Sequence, residues 1–144
     1  MSHITCKLVS SDSELNDAFG VRRRVFVEEQ GVAEALEYDG LDDQAVHVVA
    51  RHGNRVIGTA RVRFPGFNQA KIERMAVLEP FRGRGTGSIM LSFLKEELRS
   101  KGIEHLVLHA QVAVTGFYRA HGFEETGGPF REAGIEHIEM HMDL

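Results

Sequence analysis

Residues 73–87 of the chain read ERMAVLEPFRGRGTG and decide much of its fold. A strand-like run ends at Pro80, a loop rich in glycine and arginine follows, and a helical pattern begins near Thr86. The N–H groups at a helix N-terminus have no intrahelical partner, and the helix dipole adds positive charge there. Glycines let a ligand approach the backbone closely. The segment therefore predicts an anion site, most naturally for phosphate, with Arg82 and Arg84 adding positive charge.

Strand-like and helix-like patterns alternate on both sides of this segment. Strands are predicted at Ile4–Val9, Val46–Arg51, Val56–Phe64, Lys71–Leu78, His105–His109, Phe123–Thr126 and His137–Met142. Helices are predicted after the Ser10–Ser13 cap, within Glu28–Leu41, at Thr86–Lys101 and at Val114–His121. Gly127, Gly128 and Pro129 are expected to break the chain. The order β-α-α-β-β-β-α-β-α-β-β predicts an α+β (mixed α/β) fold.

Length and composition exclude several classes of protein. The 144 residues fit a single domain, 1–144, with one core. The formal charge of −4 argues against a nucleic-acid partner. The lone Cys6 excludes an intramolecular disulfide framework and a Cys-rich zinc site, and it favours a reducing, cytoplasmic location. Apolar runs of only a few residues predict no membrane segment, and the first residues have no signal-peptide pattern.

Two common phosphate-binding signatures do not fit the glycine loop. The Walker pattern requires a lysine directly before its Ser or Thr, and the residue directly before Ser88 is Gly87. The dinucleotide pattern is Gly-x-Gly-x-x-Gly, whereas Gly83, Gly85 and Gly87 are spaced Gly-x-Gly-x-Gly and lie in the middle of the chain. The loop is therefore neither a P-loop nor a dinucleotide fingerprint.

A third signature does fit. Arg82-x-x-Gly85-x-Gly87, after a strand that ends before Pro80, resembles the acyl-CoA pyrophosphate loop of the GNAT superfamily of N-acetyltransferases. Residues 116–123, GFYRAHGF, resemble that family's Phe-Tyr-x-x-x-Gly-Phe segment. Residues 22–30, RRRVFVEEQ, resemble a small single-domain subgroup with an Arg-x-x-Val-Phe-Val-x-Glu-Gln segment. The order of elements is also the family's, so the resemblance covers essentially the whole chain.

The resemblance implies a GNAT-like fold. Its centre is a mostly antiparallel, twisted sheet of about six or seven strands with one splayed parallel pair, and about four helices flank it. The two strands that splay apart correspond here to Lys71–Leu78 and His105–Ala110, and the cofactor lies in the V-shaped gap between them.

The resemblance also implies transfer of an acetyl group from acetyl-CoA to a primary amine, on a small molecule or a peptide, by direct attack and without a metal. The implied cofactor-binding residues are Met75, Ala76, Val77, Arg82, Gly83, Arg84, Gly85, Thr86, Gly87, Gln111, Phe117 and Tyr118. The family often has Asn where this chain has Gln111 and Ala where it has Val114, which weakens the expected pantetheine contact at Gln111.

Two residues are predicted to be catalytic. Glu73 is the candidate base for an amine that is mostly protonated at neutral pH, and strand alternation places it on the same face as Met75. A structural ion pair is the alternative for Glu73. Tyr118 matches the family's general acid, which protonates the departing CoA thiolate. The pKa of a phenol, near 10, is higher than that of a thiol, near 8.5, so a hydrogen bond to the thiolate can be the whole role of Tyr118. A core tyrosine is the alternative.

Residues near the N-terminus supply the predictions for the acceptor. Glu28 and Gln30 are expected to face the acceptor pocket, with a polar loop as the alternative. Arg22, Arg23 and Arg24 are read as a solvated helix face, with contact to an acidic substrate as the alternative.

Two histidine pairs, His105 with His109 and His137 with His141, each share a strand face. They are read as the wet face of an edge strand rather than as zinc ligands. The sequence also leaves open a homodimer, and it leaves open a non-catalytic acyl-CoA-binding regulatory module or a nucleotide-phosphate binder as alternative functions.

Overall fold

The computed structural model describes residues 3–144. Its strands are β1 (Ile4–Leu8), β2 (Val46–His52), β3 (Arg55–Gly66), β4 (Gln69–Val77), β5 (His105–Gln111), β6 (Glu124–Glu132) and β7 (Ile135–Asp143). Its α-helices are α1 (Asp12–Arg22), α2 (Glu34–Glu37), α3 (Thr86–Ser100) and α4 (Thr115–Ala120). The predicted order of elements is confirmed. None of the helices in this described part is both long and apolar enough to span a membrane.

The seven strands form one sheet in the order β1-β2-β3-β4-β5-β7-β6. Every neighbouring pair is antiparallel except β4 and β5, which are parallel. Within the described residues, Gln69–Ile72 of β4 pairs with His105–Leu108 of β5, and the pairing ends there. Strand β4 nevertheless continues to Val77 and β5 to Gln111. The predicted mixed sheet with one splayed parallel pair is therefore confirmed.

Helices cover both faces of this sheet. The apolar stripe of α3 buries Met90, Leu91, Leu94 and Leu98 against one face, where Ile72 and Leu108 also lie. Helix α1 packs on the opposite face, where Ala18 and Val21 meet Val49 and Ala76. Burial of each large aliphatic side chain contributes about 2 kcal/mol, so these two clusters stabilise the packing of the helices on the sheet.

A β-bulge interrupts β4 at the point where the gap begins. Arg74 has a φ of +55°, and the pairing with β3 moves from Arg61 opposite Glu73 to Thr59 opposite Ala76, which is one extra residue in β4. Ile72 packs on the α3 side, and so does Met75 three residues later. Glu73 and Met75 therefore lie on opposite faces, and the prediction that they share a face is wrong because simple alternation does not hold across a bulge.

One other local prediction also differs from the structure. Strand β6 continues through Gly127–Pro129, with a register shift between Thr126 and Phe130 instead of a break. A proline lacks an N–H group and is tolerated at such a bulge on an edge strand. After α1 the chain continues as a π-helical turn over Arg23–Glu29, where the Gln30 N–H donates to the Val25 carbonyl at 3.1 Å.

Candidate active site

A cleft of about 570 Å³ opens where β4 and β5 diverge. Its walls come from the π-helical turn, α2, β4, β5, α4 and the turn between β6 and β7. The cleft brings together many of the predicted site residues, namely Gln30, Glu73, Met75, Ala76, Val77, Arg82, Gln111 and Tyr118. Glu28 is not among them. It lines a separate groove with Arg23 and Arg24, so the structure does not bring it to the predicted acceptor pocket.

The glycine loop joins the end of β4 to α3. Gly83 has a φ of +73° and Gly85 a φ of +80°, a left-handed conformation that favours glycine. A Cβ at either position would point into open space. Gly85 is also the N-cap of α3 and makes no side-chain cap, so the first N–H groups of the helix point outwards without a side-chain acceptor there. The loop thus has the geometry of an anion cradle.

Two contacts hold this loop in shape. The Thr86 hydroxyl donates to the Phe81 carbonyl at 3.2 Å. At Gly87, a Cβ would come within 3.1 Å of the Phe117 ring, so glycine allows α4 to approach α3 closely. Phe117 and Gly87 therefore contact each other beside the cleft.

Arg82 is already bound to a carboxylate. Its guanidinium donates to both oxygens of Glu29, at 2.6 and 2.9 Å, and its Nε donates to the Val77 carbonyl at 2.9 Å. The hydrogen bond from Arg82 lowers the pKa of Glu29. An anionic ligand at the glycine loop has to compete with Glu29 for Arg82. Arg84 is not held in this way and lies over the Phe81 ring, 5.6 Å from its centre.

The residue after Glu29 contacts the other side of the gap. The Gln111 amide, at the end of β5, donates to the Gln30 side-chain oxygen at 3.0 Å. Glu29 and Gln30 therefore span the mouth of the gap, one towards the loop after β4 and one towards β5. Gln30 was predicted to face the acceptor pocket; it lines the cleft, and its amide oxygen accepts from Gln111.

Tyr118 lies half-buried between the gap and the core. Its hydroxyl donates to Met75 Sδ at 3.7 Å, and its ring packs edge-on against Phe117 and Phe123. Burial raises the pKa of Tyr118 to about 12. This value lies about 3.5 pH units above an ordinary alkyl thiol, so the hydroxyl is suited to donate a hydrogen bond to a thiolate rather than to release its proton.

Glu73 is surrounded by cations. Arg63 Nε lies 2.5 Å from its carboxylate, an Arg61 nitrogen 3.2 Å and Lys71 Nζ 3.6 Å. Burial alone would raise the pKa of Glu73, but the hydrogen bond from Arg63 and the three positive charges outweigh it, and the pKa is lowered. A carboxylate of lowered pKa is a poor proton acceptor, which favours the ion-pair interpretation that the sequence left open.

An ionic network that was not predicted from the sequence lies beside the cleft, and two of its members, Glu37 and Asp39, line it. Arg22 is 1 % exposed and donates to Glu37 at 2.7 Å and to Asp42 at 2.6 Å. Arg61 is fully buried and pairs with Asp39 and Asp42. Arg22 is therefore neither a solvated helix residue nor exposed to a substrate. The acidic residues 37, 39 and 42, spaced along one short segment, were the available signal.

Histidines and acids meet on the sheet face beyond β5. His109 lies 3.2 Å from Glu132 and 3.3 Å from Glu139, and His141 lies 2.8 Å from Glu139. Strands β5 and β7 are interior strands, so the edge-strand interpretation of the histidine pairs is wrong. Across residues 3–144, no group of three or more His, Cys, Asp or Glu side chains is arranged to hold a metal ion.

Comparison with known proteins identifies the fold. A family model described as the acetyltransferase (GNAT) domain matches residues 9–144. The chain is 38 % identical over 141 residues to the protein YyaT of Bacillus subtilis (strain 168), covering 96 % of this chain and 95 % of YyaT. It is 34 % identical over 137 residues to YjcF of the same organism, named an uncharacterized N-acetyltransferase, covering 94 % and 97 % of the two chains.

A solved structure shows the same architecture. The GNAT family acetyltransferase from Elizabethkingia anophelis, determined with acetyl-CoA bound, superposes with a TM-score of 0.76 at 20 % identity and 98 % coverage of both chains. At this identity the likeness concerns the fold, whereas the family model and the Bacillus relatives concern the sequence itself. The chain belongs to the GNAT acetyltransferase family.

Proposed function

We propose that this protein transfers an acetyl group from acetyl-CoA to a primary amine by direct attack of the amine on the thioester. The observation that carries the proposal is the gap between β4 and β5, which opens directly beside the glycine cradle at the start of α3. An acyl-CoA donor has both a thioester arm and phosphates, and the cradle would hold the phosphates while the arm enters the gap. The GNAT structure from Elizabethkingia anophelis holds acetyl-CoA, which supports acetyl-CoA as the donor here.

The donor's atoms are assigned to backbone groups. Beyond Ile72, strand β4 no longer pairs with β5, so the N–H groups of Met75–Val77 that point towards β5 are available to the pantetheine and the thioester carbonyl. Such an N–H stabilises the negative charge that develops on the carbonyl oxygen during attack. The loop Arg82–Gly87 holds the pyrophosphate, with Arg84 contributing positive charge.

Side chains complete the reaction. The Tyr118 hydroxyl is proposed to stabilise the departing CoA thiolate by a hydrogen bond, because its raised pKa keeps the proton on oxygen. The described residues that line the cleft include no Ser, Thr or Cys. A covalent acyl-enzyme on a hydroxyl or thiol is therefore not part of the proposal. Cys6 is the lone thiol of the chain, which supports a reducing, cytoplasmic location.

Release of free CoA thiol from acetyl-CoA, measured over a panel of primary amines, tests this function. Amine-dependent thiol release that stops when the amine is replaced by the corresponding alcohol is the expected result. Binding of acetyl-CoA without release by any amine would instead identify the protein as a non-catalytic acyl-CoA-binding module. ATP binding that CoA does not displace would contradict both.

A further inference from the structure

Two cleft residues, Glu132 and His137, flank the turn between β6 and β7. Ala133 and Gly134 both have positive φ and form a tight turn, which places Glu132 opposite Ile135. The side chain of His137 is 9 % exposed. Its Nδ1 lies 2.7 Å from the Ile135 carbonyl, which can only accept, so Nδ1 carries the proton and the lone pair of the neutral ring is on Nε2.

The surroundings of His137 fix the direction of that lone pair. The Phe130 ring stacks on the imidazole with 6.1 Å between the ring centres, and it packs edge-on against His109 at 4.9 Å. His137 Nε2 lies 3.8 Å from Glu132, too far for a direct hydrogen bond. Nε2 is therefore an oriented acceptor on the wall of the cleft, beside a carboxylate.

Charge distinguishes Glu132 from the other cleft carboxylates. Glu73 is matched by Arg61, Arg63 and Lys71. Glu37 and Asp39 are likewise matched by arginines. Within the described chain, the ion partners of Glu132 are only two histidines, His109 at 3.2 Å and His137 at 3.8 Å. Among the described residues, Glu132 is therefore the cleft carboxylate that has no arginine or lysine as an ion partner.

We infer that Glu132 and His137 form the subsite for the acceptor's amino group, which arrives as a primary ammonium ion. This inference rests on the proposed function and names the class of substrate: a cationic primary amine whose nitrogen reaches the β6–β7 turn. An ammonium has three N–H donors, and the Glu132 carboxylate with the His137 Nε2 lone pair supplies acceptors of the right kind. Histidine is the side chain best suited to take a proton near neutral pH.

The proton and electron balance of the step is simple. The ammonium gives one proton to His137 Nε2, and the imidazolium that forms is stabilised by the Glu132 carboxylate. The neutral amine attacks the thioester carbon, the C–N bond forms and the C–S bond breaks. The second nitrogen proton goes to the CoA sulfur, and His137 returns its proton to water. The products are an amide, CoA thiol and one proton.

Binding of n-butylammonium chloride, followed by amide NMR shifts, tests the subsite without requiring turnover. Saturable shifts at residues 130–137 are expected with the wild type and with Glu136→Gln, a neighbouring exposed carboxylate on β7. The affinity obtained from these shifts should be at least fivefold lower in Glu132→Gln, and n-butanol should cause no shifts. Equal binding by Glu132→Gln, or shifts confined to the Glu37–Asp42 segment, would overturn the inference even if acetyl transfer were confirmed.

Kinetics with the fastest amine of the panel tests the role of His137. His137→Gln should lower kcat at least tenfold with the KM for acetyl-CoA unchanged, and Glu132→Gln should raise the KM for the amine. His141→Gln, on the same strand face, should stay within twofold. The titratable groups near His137 are Glu132 on β6, His109 on β5 and Glu139 on β7. Raising the pH towards the pKa of the free amine should reduce the loss of kcat in His137→Gln, because more of the amine is then already neutral. A deficit independent of pH would assign His137 a structural role and overturn the inference.

Discussion

The two sides of the cleft are built from different materials. The proposed donor side is a continuous segment, Glu73–Gly87, joined by Tyr118 of α4, and it presents mainly backbone N–H groups from a bulged strand, a glycine loop and a helix N-terminus. The acceptor side is assembled from side chains of separate segments: the π-helical turn, α2 and the β6–β7 turn. A site made of backbone depends on conformation, whereas a site made of charged side chains depends on partners. Substitutions on the two sides should therefore fail in different ways.

Tyr118 is the main side chain with a proposed role on the donor side, and its loss should have the largest effect. Tyr118→Phe removes the hydrogen bond to the leaving thiolate and should lower kcat about 100-fold, with little change in the KM for acetyl-CoA. Tyr38→Phe is the matched control and should retain activity. Because burial raises the pKa of Tyr118 to about 12, ionisation of this hydroxyl should not lower the wild-type rate between pH 8 and 10. Full activity of Tyr118→Phe would remove Tyr118 from the mechanism.

Two glycines at opposite ends of α3 test the backbone nature of the donor side. Gly85 and Gly102 have nearly the same conformation, with φ of +80° and +82°, and both have open space where a Cβ would lie. An alanine at either position should cost about 1 kcal/mol of stability. Only Gly85→Ala places its methyl in the anion cradle, so it alone should weaken acetyl-CoA binding, by about tenfold in calorimetry. Equal affinities for the two variants would place the phosphates elsewhere.

Glu73 tests where the two sides meet. Glu73→Gln leaves Arg61, Arg63 and Lys71 without their shared carboxylate and should lower the free energy of unfolding by about 2 kcal/mol at pH 7. Glu96→Gln, which removes an exposed i,i+3 pair with Arg99, should change it by less than about 0.5 kcal/mol.

The pH dependence of that difference has a defined sign. The pKa of Glu73 is lowered in the folded protein, so its stabilisation is present above the ordinary value of 4.5 and is lost as pH falls through the folded pKa. Denaturation of wild type and Glu73→Gln should therefore show a difference in the free energy of unfolding that becomes smaller below pH 4. A large loss of kcat in Glu73→Gln without loss of stability would instead restore Glu73 as the base.

The smallest expected effect concerns the contact that joins the two sides. Glu29 holds the Arg82 guanidinium with two hydrogen bonds, so Glu29→Gln should free Arg82 for the pyrophosphate and tighten acetyl-CoA binding about threefold. Glu28→Gln changes the neighbouring carboxylate, whose ion partner is Arg23, and should leave the affinity unchanged. Weaker binding by Glu29→Gln would show that Glu29 positions Arg82 rather than competes for it.

The same division explains what could be predicted from the sequence. Gly83, Gly85 and Gly87 stand next to a proline-terminated strand, so strand, loop and helix could all be inferred locally. The bulge at Arg74 has no such signal, because arginine is not a residue that marks positive φ, and the face of Glu73 was mispredicted as a result. Arg22 lies in a run of three arginines, and only its long-range partners Glu37 and Asp42 explain its burial.

The β6–β7 turn gave the weakest signal of all. Gly127, Gly128 and Pro129 favour a break, yet pairing with β7 resumes at Phe130 and carries Glu132 to the cleft. Cross-strand pairing joins residues that a local pattern treats separately. The β6–β7 turn therefore required the structure, whereas the strand, loop and helix around Gly83–Gly87 did not.

A crystal structure of the protein with acetyl-CoA is the most direct test of the central assignment of the donor to the β4–β5 gap. The expected result is a pantetheine arm beside Met75–Val77, a pyrophosphate on the N–H groups of Gly83–Gly87, and the thiol sulfur near the Tyr118 hydroxyl. Acetyl-CoA bound outside the gap, with its phosphates away from the glycine loop, would contradict this assignment.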